Sequence, residues 1–337
     1  MRKDIIVIGA STGGIEALRI LASGLPENFA GALFVVIHTS ANSPGFLASI
    51  LERAGVLPAT CVTEREPIEP GRIYVPSPDH HLLLERGSVC VTRGPKENRF
   101  RPAVDPLFRS AAQAYGPRVI GIVLTGALDD GTAGLLAVKQ LGGTAIVQDP
   151  ADALSPSMPS SAMQRVEVDY CVPISEMASL LVRLTNEEVE EKEEYTVPEM
   201  LNTEVAIARE EHPLKAGVLA LGAPSMFSCP ECHGVLLQIK SEKVTRFRCH
   251  TGHAYSIQSL MADLEEGIED ALWSAIRAIE EQMFLVQHLA EHAHESGARA
   301  SAEKLLDFAH FARQRAELVR QTVLQPNNAD LKDVAAI

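Results

Sequence analysis

Residues 9–13 read Gly-Ala-Ser-Thr-Gly, a Gly-x-Ser-x-Gly pattern between the apolar run Ile5-Ile6-Val7-Ile8 and a helical pattern from Ile15 to Leu25. At a strand-to-helix turn this pattern can lift a serine hydroxyl, that of Ser11, above the sheet, because glycines tolerate the tight backbone. Backbone N–H groups that open the following helix can then face a developing oxyanion. A phosphate-binding loop is the competing reading, since a Gly-rich turn before a helix suits an anion equally well. No P-loop lysine follows Gly14, and the glycine spacing does not fit the dinucleotide fingerprint. Both features lean towards a hydrolase.

A serine nucleophile needs a base, and the base needs an orienting acceptor. His38 directly follows the apolar run Leu33–Ile37. It is therefore expected at the carboxyl end of a neighbouring strand, the edge at which open parallel sheets bind ligands, although a strand-end histidine also serves as a simple polar cap. The stretch Val123-Leu-Thr-Gly-Ala-Leu-Asp-Asp-Gly131 brings Asp129 and Asp130 to another strand end. Asp and Gly there suit a turn and helix N-cap as well. The order Ser, His, Asp differs from the Ser, Asp, His order of α/β-hydrolases, so that fold is not expected.

A second group of reactive side chains lies further on: Cys229-Pro-Glu-Cys232, sixteen residues, then Cys249-His-Thr-Gly-His253. Two close ligand pairs of thiolate and imidazole suit tetrahedral Zn²⁺ on two knuckles of a small ribbon. His253 is the expected fourth ligand, with His250 and His233 as competitors. The expected metal is structural, and none is expected for catalysis. Cys61, Cys90 and Cys171 are scattered and read as ordinary buried thiols.

The elements that must position these residues are legible as patterns. Strand candidates at 4–8, 33–37, 72–75, 81–84, 119–124 and 144–147 alternate with helical stretches at 15–25, 105–114 and 134–141. Apolar strands alternating with helices predict a doubly wound α/β fold, Rossmann-like in three layers around a mostly parallel sheet. Composition shifts at Asn186, where a strongly acidic run begins. The expected organisation is a catalytic domain over 1–185, an acidic and polar linker over 186–223, a zinc-ribbon segment over 224–256 and a helical hairpin over 257–326. Leu260, Leu264, Ile268, Ala271, Ala275, Ile279, Met283 and Val286 make the apolar stripe of the first hairpin helix; Gly297 breaks the pattern and Pro326 stops the second helix. Such a stripe is expected to serve packing, interaction or dimerisation.

With 30 Lys+Arg against 44 Asp+Glu the net charge is −14, which argues against a sequence-independent nucleic-acid binder and against an anionic membrane surface. No apolar run reaches the length of a membrane span, and residues 5–8 are too short for a signal-peptide core. A cytoplasmic location is expected, where clustered cysteines favour metal over disulfide.

Four segments together resemble the catalytic domain of chemotaxis protein-glutamate methylesterases: Ile8-Gly-Ala-Ser-Thr-Gly-Gly14, His38, Asn98-Arg-Phe-Arg-Pro-Ala-Val-Asp105, and Leu124-Thr-Gly with Asp130-Gly-Thr-Ala-Gly134. The similarity runs from about Asp4 to about Leu184. It implies hydrolysis of glutamyl methyl esters on chemoreceptor cytoplasmic helices with release of methanol, and also deamidation of receptor glutamines. By position it makes Ser11 the nucleophile, His38 the general acid/base and Asp130 its orienting carboxylate. Thr12 and Gly13 flank the nucleophile, and Ala127 lies where a backbone donor to the oxyanion is expected. Arg101 and Asp105 would shape the cleft or form a structural ion pair. The chain departs from the family where Met-Gly is usual after Leu-Thr-Gly and Ala127-Leu128 stand here, and where Met-Pro usually follows the histidine and Thr39-Ser40 stand here. Well-known members also carry a phosphorylation-controlled receiver domain ahead of the catalytic one; this chain starts at the catalytic domain's first strand, so regulation is expected to be absent or supplied in trans. The alternative is a signalling scaffold that binds receptor-like helices without turnover.

Overall fold

A computed structural model describes residues 2–188, 195–240 and 244–325. The first apolar runs become parallel strands because they are apolar at every position and must be covered on both faces. β1 (Ile5–Ala10) and β2 (Ala32–Ile37) are buried along their whole length. With β3 (Ala59–Val62), β5 (Ile73–Pro76), β8 (Val119–Val123), β9 (Thr144–Gln148) and β10 (Tyr170–Val172) they form a sheet of seven strands among the described residues. The order is β10-β9-β8-β1-β2-β5-β3, with every pairing parallel.

Alternate residues of each strand feed two cores. Ile6, Ile8 and Ala10 pack with α1 (Gly14–Gly24), α2 (Leu47–Ala54) and α6 (Ile174–Leu184). Ile5 and Val7 pack with α3 (Val104–Tyr115), α4 (Thr132–Gln140) and α5 (Ser157–Arg165) on the other face. Each fully buried Ile, Leu or Val contributes roughly 1.5–3 kcal/mol by leaving water, so this double covering is what holds the carboxyl ends of β8, β1 and β2 in fixed register.

Three features differ from the sequence expectations. The run 81–84 joins no parallel sheet: β6 (His81–Glu85) turns back through Arg86-Gly87 into β7 (Ser88–Thr92), with β4 (Glu66–Pro67) on the far side. A two-residue connection can only close an antiparallel hairpin. The expected linker contains α7 (Glu199–Ala208), which buries Leu201, Val205 and Glu204. Among the scattered cysteines, Cys90 is buried, Cys61 is half-buried and Cys171 is exposed.

The cysteine segment forms an antiparallel sheet of β11 (Ala223–Ser228), β12 (Val235–Lys240), β13 (Thr245–Cys249) and β14 (Ala254–Ser256). It belongs to the same compact unit as the α/β layers, Met1–Leu260, so the boundaries expected at 185 and 223 separate no compact units. The second unit starts at Met261 and holds most of α8 (Ile257–Glu295) and all of α9 (Arg299–Leu324), broken at Gly297. Within it Ile279, Met283 and Val286 pack on Ala309 and Ala312, and Arg320 pairs with Glu280 at 2.5 Å, the geometry of a helical hairpin. No described helix is long and apolar enough to cross a membrane. Residues 189–194 of the acidic run, and Pro326, lie outside the described residues.

Candidate active site

The three strands that carry the candidate residues are neighbours, β8-β1-β2. Ala10 pairs with Ile37, so Ser11 and His38 each follow directly on a register pair at the carboxyl edge. The His38 N–H donates to Ala10 O at 3.2 Å, and the Ser11 N–H donates to Thr125 O at 2.9 Å. β1 leads into α1 on one face of the sheet while β8 leads into α4 on the other. This opposed winding opens a crevice at the switch point, where such sheets place ligands.

The candidate nucleophile loop is fixed by two glycines and a threonine. Gly13 caps α1 with φ of 80°, and a Cβ there would also come within 2.8 Å of Leu154. A Cβ on Gly126 would lie 2.8 Å from the Ser11 Cβ and 2.1 Å from the Met158 sulfur, so nothing larger fits beside the serine. The buried Thr125 hydroxyl donates to Thr12 O at 2.8 Å and accepts from the Ser155 N–H at 2.9 Å, tying the loop to the end of β8. Thr12 and Ala127 are both exposed. Leu128, in the position where the resembled family usually has glycine, keeps the left-handed backbone with φ of 62°, a conformation costing a non-glycine residue about 1–2 kcal/mol.

His38 and Asp130 are directly bonded, His38 Nε2 to Asp130 Oδ2 at 2.7 Å, with both side chains at most 4 % exposed. The imidazole stacks on Phe100 with ring centroids 3.8 Å apart and planes within 5°. Its Nδ1 is buried and has no partner among the described residues. That nitrogen is thus the one left to serve a nucleophile; in free enzymes the nucleophile–base bond is commonly long and closes with substrate.

Asp130 is held as a carboxylate. Burial pushes its pKa up, but the His38 bond, the Val104 N–H at 2.7 Å and the Asn98 amide at 2.9 Å together bring it below the ordinary value. The Gly131 N–H adds a further bond at 2.9 Å. Two neighbouring carboxyls move the other way. Burial and the Asp130 charge raise Asp105 to about 7, against the opposing pull of Arg109 and the Gly134 N–H. Burial and Asp130 raise Asp129 to about 6 despite a hydrogen bond from Ser256. One ionised acid beside two protonatable ones is the pattern expected when like charges share a dry site.

Arg101 and Asp105 do not pair with each other. Arg101 pairs with Asp79 at 2.8 Å, while Asp105 accepts from the Gly131 and Gly134 N–H groups at 3.1 and 2.6 Å. Each therefore found a nearer partner, one across the surface and one at the start of α4.

Sequence reasoning missed Asn98, Phe100, Thr125 and Ser256 as site residues. Asn98, with φ of 48°, donates from its amide to both Asp105 and Asp130 and accepts from the Ser256 N–H at 2.8 Å. The Ser256 hydroxyl donates to Asp129 at 2.5 Å and accepts from the Ser259 N–H at 3.0 Å, as an N-cap does. A serine just before the Leu260 stripe was the available signal for the cap; nothing local pointed to its long-range partner.

The other expected cluster also comes together. Cys229, Cys232, Cys249 and His253 each offer a ligand atom, all within 4.8 Å of one another. Cys232 Sγ to Cys249 Sγ is 3.6 Å, and His253 Nδ1 lies 3.7 Å from Cys229 Sγ and 3.6 Å from Cys249 Sγ. A tetrahedral metal with bonds of about 2.3 Å to sulfur and 2.0–2.1 Å to nitrogen sets its ligands about 3.6–3.8 Å apart, so the donor set fits such an ion. Each pair sits on a tight knuckle, with the Cys229 N–H bonded to Gly234 O and the Cys249 N–H to His253 O. His233 and His250 are not in the group.

Comparison with known proteins bears on the family of the α/β domain. The CheB methylesterase family profile matches residues 6–181. A Leptospira interrogans protein, provisionally named protein-glutamate methylesterase/protein-glutamine glutaminase, is 37 % identical over 193 residues, covering 57 % of this chain and 100 % of that protein. The protein-glutamate methylesterase/protein-glutamine glutaminase 2 of Methanosarcina mazei is 35 % identical over 193 residues, which is 54 % of this chain and 52 % of the relative. This chain thus spans about half the length of the latter. The crystal structure of the Thermotoga maritima CheB methylesterase catalytic domain superposes with a TM-score of 0.52 at 34 % identity, over 54 % of this chain and 98 % of that one. With a matching profile over more than half its length and a relative 37 % identical that it covers completely, the chain belongs to the CheB methylesterase family.

Proposed function

We propose that this chain hydrolyses glutamyl methyl esters on chemoreceptor-like signalling proteins, and deamidates glutamines there, as the names of its relatives state for them. The observation that carries the reading is the buried 2.7 Å His38–Asp130 bond beside Ser11, which leaves the other imidazole nitrogen without a partner. In this mechanism His38 takes the Ser11 hydroxyl proton as the oxygen attacks the ester carbonyl. Backbone N–H groups of Thr12, Gly13 and Ala127 are the candidate donors to the oxyanion, aided by the N-terminus of α1. His38 then gives the proton to the departing methanol, and a water deprotonated by His38 cleaves the acyl-serine to the glutamate carboxylate. Asp130 holds the ring and stabilises the imidazolium. Base assistance of this kind contributes ~10²–10⁴-fold.

The Cys229, Cys232, Cys249 and His253 group is read as a closed structural Zn²⁺ site of the ribbon, and the chain as cytoplasmic, where such thiols stay reduced.

The test is methanol release from a glutamyl-methylated receptor cytoplasmic fragment by the natural protein and by Ser11→Ala. Release that disappears in a folded Ser11→Ala protein supports the esterase and its nucleophile. A folded natural protein that binds the fragment and releases nothing would instead support a scaffold.

A further inference from the structure

The Cys/His knuckles are built into the support of the catalytic carboxylate. Arg248, next to the candidate ligand Cys249, is fully buried; it donates to Gly252 O within the knuckle at 2.8 Å, to Glu97 at 3.0 Å and to Glu204 at 3.1 Å. Glu97 in turn pairs with the buried Arg109. On the other side of the knuckle, Ala254 follows His253 and grips the same segment: its N–H donates to Lys96 O at 3.2 Å, and its carbonyl accepts from the Asn98 N–H at 2.8 Å. Two residues on, Ser256 meets both Asn98 and Asp129, and Ser259 donates to Asn98 Oδ1 at 3.0 Å.

The whole of residues 97–100 is therefore pinned between the knuckle and the catalytic group. Asn98 is the hinge of that arrangement. Its Oδ1 is held by Ser256 and Ser259, which orients its amide nitrogen onto Asp130; Phe100, two residues away, stacks on His38. Asn98 and Arg99 both have positive φ, at 48° and 77°, a backbone that persists only when its surroundings dictate it. The module doing the dictating has little core of its own. Two of the six buried members of its cluster, Cys229 and Cys249, are candidate metal ligands themselves, beside Leu236, Phe247, Tyr255 and Leu260.

We propose that the Cys/His centre is a metal-dependent assembly switch for this esterase: a zinc-type ion held by Cys229, Cys232, Cys249 and His253 fixes residues 249–256, which seat Asn98 on Asp130 and so orient His38. Asn98, Ser256 and Ser259 are positioning residues, acting through Asp130 and not on substrate. Loss of the metal releases the 249–256 turn, lets residues 97–100 relax from their left-handed backbone and loosens the histidine. Supply of the ion then sets the fraction of active enzyme. The inference rests on the esterase reading for its activity arm only.

The experiment uses the full chain loaded with Zn²⁺, the same chain stripped by a chelator, and the stripped chain reloaded. Co²⁺ serves as a second probe, because thiolate-to-cobalt absorption reports the site directly. Ester hydrolysis and hydrogen exchange by peptide are measured in each state. The expected result is one ion per chain and a fall in kcat of about 10²-fold on stripping, the scale of a small misplacement of catalytic groups, with KM little changed. Exchange should quicken over 97–105 and 224–260 while β1 stays protected, and zinc should reverse both effects. Ser259→Ala, which removes the side-chain donor to Asn98 Oδ1, should lower kcat with the cobalt spectrum unchanged. Failure to bind either ion, unchanged kcat and exchange after stripping, exchange rising equally through β1, or full kcat in Ser259→Ala would each overturn the switch. A loaded chain that hydrolyses no ester would defeat the esterase reading, and the exchange data alone would then decide the coupling.

Discussion

Replacing Asp130 by Asn tests the site most sharply, because all five hydrogen bonds described at this carboxylate are ones it accepts. Oδ1 takes the Asn98 amide and the N–H groups of Asp105 and Gly131; Oδ2 takes His38 Nε2 and the Val104 N–H. An asparagine keeps the most acceptors with its oxygen at the Oδ1 side, which puts its NH₂ against Val104 N–H and His38. His38 must then accept at Nε2 and carry its proton on Nδ1, the nitrogen that should receive the proton of Ser11. Wrong-tautomer losses of this kind are ~10⁴-fold in kcat, or about 5.4 kcal/mol at 1.36 kcal/mol per tenfold. Stability should change far less. The stranded Val104 N–H costs about 1–3 kcal/mol, and this is offset in part because removing the charge relieves Asp105 and Asp129. The assay is kcat on the methylated fragment, with thermal unfolding as the folding control and ¹⁵N spectra of His38 to read the tautomer. If Asp130→Asn stays within tenfold of the natural protein while Asp129→Asn loses activity, the orienting carboxylate is Asp129 and the reasoning fails.

Asp129→Asn should itself leave kcat within about threefold, because Asp129 contacts Ser256 and not His38. Its effect is on stability against pH. Asp129 is raised to about 6 from 3.8, so the folded state holds its proton more tightly; that stabilisation is full below about pH 4 and is lost as pH rises through about 6. Chemical denaturation at pH 5 and pH 8 should show the Asn variant losing less over this interval, by about 1.4 kcal/mol, because only the unit of the shift between pH 5 and about 6 falls within it, at 1.36 kcal/mol per unit; equal losses would refute the shift. Gly13→Ala should cost about 1–2 kcal/mol for its left-handed backbone, before any strain from Leu154, and should lower kcat by moving Ser11. A Gly13→Ala protein with unchanged melting temperature and kcat would show that the loop conformation described here is not the working one.

The chemistry of both centres was written locally. Gly-x-Ser-x-Gly after a buried apolar run requires a strand-to-helix turn, and the two close pairs Cys229/Cys232 and Cys249/His253 require knuckles, because these short-range patterns depend only on backbone conformation and ligand reach. The alternation of apolar runs with helical stretches likewise dictated a parallel sheet, since a strand apolar on both faces has no other way to be covered. The hairpin at 81–92 and α7 escaped that logic. A four-residue apolar run looks the same in either sheet type, and α7 is helical largely because Leu201 and Val205 reach the core and Glu204 reaches Arg246 and Arg248.

Residue spacing left Asp129 and Asp130 equal and the resemblance named Asp130; the tertiary structure sets that carboxylate against His38. Asp129 and Asp130 are adjacent and chemically identical, and the choice follows from α3 presenting the Val104 N–H and from Asn98 reaching across to the same side chain. Only the tertiary structure joined the Cys/His sheet to the catalytic crevice. Ser256 and Asp129 are 127 residues apart and Ser256 and Asn98 are 158 apart. No local propensity carries such contacts; they exist because a buried amide, a buried hydroxyl and three buried carboxyls must satisfy one another where water is excluded.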